Sequence, residues 1–170
     1  ARTPLRSGAM KISFVTALVF LALGLTGCGK NESAAPAASA PAPVEPRVVE
    51  ITGNDQMRFS VDRFEVKAGE TLKLVFTNVG MLPKQAMGHN LVILRKDANP
   101  QAYAAAALRA VATDYVPADL SAQVIAATKL LGPKEKDEVT FTAPSEAGDY
   151  PFLCTFPGHA ALMKGVMVVK

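Results

Sequence analysis

This chain has no tryptophan, two cysteines and two histidines in 170 residues. It also lacks an apolar run long enough to cross a bilayer. The most apolar segment, residues 12–23, follows Lys11 in "MKISFVTALVFLALGLTGC", which starts at Met10. A basic start, a short apolar stretch and then small residues read as a secretory signal, since a membrane helix needs about 20 apolar residues. Residues 1–9 precede Met10 and are set aside from the fold. The sequence has no real excess of charge either. Cleavage before Cys28 removes Arg2, Arg6 and Lys11, so 18 basic residues fall to 15 against 15 acidic ones. A neutral chain offers nucleic acid no electrostatic footing, and nucleic acid is excluded as a partner.

Residues 25–28, "LTGC", resemble the lipobox of bacterial lipoproteins, which implies that Cys28 is acylated and becomes the first mature residue. Several acyl chains hold a protein on a membrane where one does not. Cys154 is then left without a disulfide partner. A lone thiol in an oxidising compartment is a liability unless it is buried or bonded to something. The sequence thus divides at three places: residues 1–27 upstream and signal, 28–46 lipidated cysteine and tether, 47–170 a folded domain. The tether, "GKNESAAPAASAPAPVEP", is Ala, Pro and Ser with almost nothing to bury.

From Arg47 the texture changes to short apolar or alternating runs, among them "RVVEI", "TLKLVFTN", "HNLVIL", "DEVTFTA", "DYPFLCT" and "VMVVK". Turn signals such as "KAGE" and "SEAGD" separate them. Many short strands so punctuated predict an antiparallel sandwich or barrel. One helix interrupts them over residues 99–111, where Asn99 caps, Pro100 takes the first turn and an alanine run follows. No internal repeat is apparent.

What the chain does contain is concentrated. Cys154, His159 and Met163 fall within ten positions in "CTFPGHAALM", and His89 heads a strand-like run upstream in "MGHN". A thiolate, two imidazoles and a thioether are the ligand set of blue-copper electron-transfer sites. Soft sulfurs favour Cu(I), while imidazole suits both copper states. A closed zinc site wants four ligands, usually Cys and His, and only three are present. Singly, each residue has a blander role: His89 a satisfied core histidine, Met163 a gap filler, Cys154 an inert buried thiol. Cys154 with His159 as base is also a candidate hydrolase pair, although no carboxylate lies nearby in sequence to orient it.

The motifs "GNDQMRF", "LPKQAMGHN", "TKLLGPKEKDEVTF" and "CTFPGHAALMKG" resemble azurin, in order and spacing, from about Arg47 onward. The lipobox and tether further resemble lipid-modified azurins of bacterial envelopes. The resemblance implies an eight-stranded Greek-key β-sandwich of cupredoxin type with one external helix. It implies one copper held by His89, Cys154 and His159, with Met163 a long axial ligand opposed by the Gly88 carbonyl. Gly at 88 is expected because a Cβ would obstruct the close approach of the backbone to the metal. Asn90 is expected to tie the two ligand loops together, with its own donation and that of the Phe156 amide directed at the Cys154 sulfur. An exposed edge of His159 is expected within an apolar partner patch of Met57, Leu82, Met87, Phe156, Ala161 and Leu162.

Two positions depart from the family. Its disulfide is missing, since the matching positions fall near Arg47 and Glu70, so stability is expected to rest on core and metal. Leu91 stands where the family buries a tryptophan. The reading is a non-enzymatic electron carrier, anchored at Cys28 and facing the periplasm. Its expected partners are redox proteins such as c-type cytochromes or a copper-containing reductase or oxidase. A copper-delivery protein of the envelope is the alternative.

Overall fold

The computed structural model describes residues 45–170. The expected signal segment, Cys28 and all but the end of the tether lie outside the described residues. The strands are β1 (Arg47–Asn54), β2 (Arg58–Phe59), β3 (Arg63–Val66), β4 (Thr71–Asn78), β5 (Val92–Leu94), β6 (Val124–Ala127), β7 (Lys136–Thr142), β8 (Gly148–Leu153) and β9 (Lys164–Val169). They form two sheets, ordered β2-β1-β4-β7 and β3-β9-β8-β5-β6. Eight strands have three residues or more, the number the azurin resemblance implies, and the two-residue β2 is added at the end of β1.

Alternation sets the two faces. In β4, Leu72, Leu74 and Phe76 are wholly buried while Thr71 is exposed and Lys73 and Thr77 are half-buried. Burying each such side chain is worth roughly 1.5–3 kcal/mol. They meet Ile51, Ile93, Phe152 and Met167 in one core that extends without a break to Cys154 and Met163. Phe59 closes it from the side, its ring centroid 5.8 Å from that of Phe76 and 5.3 Å from that of Phe152. Leu91, in place of the expected tryptophan, is fully buried in the same core.

The expected antiparallel pattern holds for β4/β7, β5/β6, β5/β8 and β8/β9, but two pairs are parallel. β1 lies parallel to β4, from Arg47 against Leu72 to Gly53 against Asn78, and β3 lies parallel to β9. The chain leaves the first sheet after β2, crosses to β3 in the second and returns as β4. A strand that comes back after crossing over runs in the original direction.

Two α-helices, α1 (Lys84–Met87) and α2 (Pro100–Ala107), and short 3₁₀ turns at Val111–Thr113, Ala118–Gln123 and His159–Ala161 complete the described elements. The Asn99 side chain accepts from the Gln101 and Ala102 amides, both at 3.0 Å, and caps α2 as expected. The helix stops short of Val111. The Arg109 and Ala110 amides bond three residues back, to the Ala106 and Ala107 carbonyls, tightening the chain into 3₁₀ turns. Left-handed Asp114 and Tyr115 then end the helical run, at φ 55° and 61°. Tyr103 of α2 packs with Val92, Leu94 and Leu153 in a second, smaller core.

The positions matching the lost disulfide are bridged by charge. Arg47 Nε donates to Glu70 Oε1 at 2.6 Å, and Arg47 Nη2 donates to the Glu65 carbonyl at 2.9 Å. Glu70 Oε2 also accepts from the Lys67 amide at 2.8 Å. Stability therefore has a contributor besides core and metal.

Candidate metal centre

The loop between β8 and β9 carries three of the four expected side-chain ligands, Cys154, His159 and Met163. Pro157 and Gly158 turn it, and Gly158 takes φ 84°, a left-handed conformation that favours glycine. The turn lets His159 fold back. Its amide donates to the Phe156 carbonyl at 3.0 Å, and its own carbonyl accepts from Leu162 and Met163 at 3.0 and 2.8 Å. The Cys154 amide then donates to the Met163 carbonyl at 2.9 Å, closing the loop on itself.

His89 arrives from the other side. It stands before β5, in an isolated bridge with Leu131: its amide donates to the Leu131 carbonyl at 3.0 Å and its carbonyl accepts at 2.8 Å. His89 Nδ1 lies 3.2 Å from His159 Nδ1 and 3.9 Å from Cys154 Sγ, and Cys154 Sγ is 3.6 Å from His159 Nδ1. An ion bonded at about 2.0–2.3 Å to nitrogen and sulfur, with three donors around it in a plane, needs donor separations of about 3.5–3.8 Å. The observed triangle straddles that range, so the residues fit a single metal ion.

Burial defines the electrostatics. Cys154 and His89 are 0% exposed and His159 3%. Burial pushes the Cys154 thiol up to about 11, opposed by the Asn90 and Phe156 backbone amides, which favour the thiolate. Burial first, and then His89, push His159 down to about 4. Burial lowers His89 too, against the Asn54 backbone and the Asp55 carboxylate. Burial disfavours the protonated form of both imidazoles, and the neutral form is the one that ligates metal. The outer nitrogen of His89, Nε2, is enclosed with no hydrogen-bond partner among the described residues.

Asn90 joins the two halves through Thr155 and Asp114. Its Oδ1 accepts from the Thr155 amide at 2.8 Å, and its Nδ2 donates to Thr155 Oγ1 at 2.7 Å and to the Asp114 carbonyl at 2.8 Å. The last contact explains the left-handed turn at residues 114 and 115, which aims that carbonyl inward. Tyr115 then packs edge-on to Phe156 at 5.5 Å, and Phe156 packs on the His159 ring at 4.7 Å. Sequence reasoning missed Thr155, Asp114, Tyr115 and Thr128, whose hydroxyl accepts from the Leu91 amide at 2.9 Å.

One expectation gains a second ground, and another needs correction. Gly88 has an ordinary extended backbone, φ −67°, and a Cβ there would lie 2.7 Å from the Lys84 carbonyl. The close packing of α1 against its own exit therefore requires glycine here, independently of any approach of the backbone to a metal. His159 has almost no exposed edge. Of the expected patch, Leu82, Ala161 and Leu162 are exposed, Met57 and Met87 are half-buried, and Phe156 is buried against His159. Met81, not singled out from sequence, is 73% exposed beside Leu82. Met163 is fully buried in the core that reaches Cys154, with its methyl end against Gly53.

The family model for copper binding proteins of the plastocyanin/azurin family matches residues 47–170. An azurin of Pseudomonas denitrificans is 42% identical, covering 72% of this chain and 97% of that protein. Auracyanin A of Chloroflexus aurantiacus, described as a "blue" copper protein, is 37% identical with a TM-score of 0.66, covering 74% of this chain and 99% of that one. An azurin from Methylomonas sp. strain J has a TM-score of 0.65 at 28% identity, covering 73% and 98%.

Proposed function

The chain belongs to the plastocyanin/azurin family of copper-binding proteins, and from that premise we propose that it relays single electrons between redox proteins of a bacterial envelope while anchored at Cys28. Family membership carries the coarser statements: copper is the cofactor, and electron transfer is the family's business. Copper, when bound, supplies a one-electron couple. His89 and His159 would hold it through Nδ1 and Cys154 through Sγ, and Met163 and the Gly88 carbonyl would serve as weak further ligands. The Asn90 and Phe156 amides temper the charge on sulfur. Leu82, Ala161 and Leu162, with Met57, Met87 and Phe156 behind them, form the apolar face on which a c-type cytochrome or a copper-containing reductase or oxidase docks.

The observation that carries this reading is the convergence of three buried donor atoms at 3.2–3.9 Å, held by hydrogen bonds on both loops. A copper-delivery protein needs an accessible, exchangeable site, which fully buried ligands disfavour. A hydrolase needs Cys154 within reach of substrate, and its exposure is 0%.

Titration of the full chain with Cu(II), alongside Cys154→Ser, tests the site. An intense visible thiolate-to-copper band, bleached reversibly by reductant and absent from the variant, is expected. A weak band in both proteins refutes it. For the anchor, Cys28→Ala is expected to move the protein from the membrane fraction to the soluble one, and acylated mass at Cys28 to disappear.

A further inference from the structure

Beside the apolar face lies a groove of about 390 Å3 whose lining includes Arg58, Arg63, Lys164, Asp62 and Leu162. The three cations are exposed, and none is in an ion pair among the described residues. Asp62 is the one carboxylate in the lining, so the groove is formally positive by two. Glu65, which feels Arg63, is taken up by Lys170 at 2.6 Å. This is a local asymmetry, because residues 45–170 carry 14 basic and 14 acidic residues.

Position gives the charge a use. Leu162, at 51% exposure, lines the groove and also belongs to the apolar face, and its amide donates to the His159 carbonyl at 3.0 Å. Lys164 opens β9 directly after Met163. Arg58 pairs in register with Asn54, the last residue of β1, whereas the N-terminal segment joins β1 at Arg47. Eight residues of strand separate those ends by about 23 Å. The groove therefore flanks the metal end and lies away from where a membrane tether enters.

We propose that the groove is the ionic half of the docking face, and that the redox partner carries a rim of carboxylates beside its own exposed cofactor edge. Carboxylates seated between Arg58, Arg63 and Lys164 bring the partner's apolar centre over Leu162 and the His159 loop. The inference rests on the electron-carrier reading above and specifies the partner's chemistry. Charge of this kind acts mainly on the encounter rate and its salt dependence.

The test compares the copper-loaded full chain with Arg58→Gln/Arg63→Gln/Lys164→Gln. The probes are two c-type cytochromes, one with an acidic and one with a basic haem-edge rim. With the acidic cytochrome, the second-order rate is expected to fall at least tenfold between low salt and about 0.2 M, where screening shortens to below about 10 Å. The variant is expected to lose that salt dependence and about tenfold of the low-salt rate, with an unchanged potential and unchanged reaction with an uncharged small oxidant. Complex formation by the metal-free chain, followed by NMR, is expected to weaken in parallel. Equal salt slopes in both proteins overturn the proposal. So does loss of binding to anionic phosphatidylglycerol vesicles without change toward either cytochrome, which assigns the groove to lipid. If neither protein exchanges electrons even with the small oxidant, the carrier reading fails instead.

Discussion

At the scale of single residues, the site is built from side chains whose partners are fixed twice over. Asn90 satisfies two groups of Thr155 and one of Asp114. Asn90→Ala strands those buried groups, and a loss of about 2–4 kcal/mol is expected in urea unfolding of the metal-free chain. Gly88→Ala drives a methyl against the Lys84 carbonyl, a backbone atom that cannot yield cheaply. A cost of about 1–3 kcal/mol is expected in the same measurement, with the blue band retained if α1 shifts to accommodate it. Cys154, His159 and Met163 are legible in the sequence because soft ligands are scarce and these are crowded together. His89 is legible because no other histidine remains. Thr155 and Asp114 are not, since a backbone amide, a backbone carbonyl and one hydroxyl among many leave no compositional trace. For Gly88 the residue is legible, whereas the packing of α1 against its own exit is not.

At the scale of elements, strands and the capped helix follow from alternation and from Asn99-Pro100. The two parallel pairings do not, because they depend on which sheet the chain visits between β1 and β4. The two-residue β2 and four-residue α1 are too short for any periodicity. Where β1 meets the turn before β4, the Arg47–Glu70 pair makes a prediction with a sign. The Arg47 side chain first, and the Lys67 amide second, hold the Glu70 carboxyl below its ordinary 4.5. A carboxyl with a depressed folded-state pKa adds stability above its unfolded value and loses it as pH falls through the folded one. Glu70→Gln is therefore expected to cost up to about 1 kcal/mol at pH 7, the guanidinium being half in solvent, and the difference is expected to vanish as pH drops well below 4.5. Urea midpoints of both proteins across pH 3–7 check it. Beneath α2, the Tyr103 hydroxyl is buried without a partner among the described residues, and its pKa is pushed up to about 12, chiefly by burial. Tyr103→Phe removes an unmet polar group from an apolar site and is expected to leave stability equal or raise it by about 1 kcal/mol.

For the whole molecule, function follows from polarity along the sandwich. One end receives the N-terminal segment and is locked by Arg47, Glu70 and Lys170. The other holds the buried donors, the apolar face and the basic groove. A single core joins them, from Val66 and Val169 through Phe76 to Cys154, so the metal end is packed into the same core as the sheets that carry it. Rigidity is what separates an electron relay from a copper carrier, since a relay keeps its ion through each redox change. The most direct test is repeated reduction and reoxidation of the copper-loaded full chain in the presence of a Cu(I) chelator. A relay is predicted to recover its full blue band after many cycles, with no chelated copper in solution. Copper captured by the chelator within minutes of the first reduction would contradict the account and make this a protein that hands its metal on.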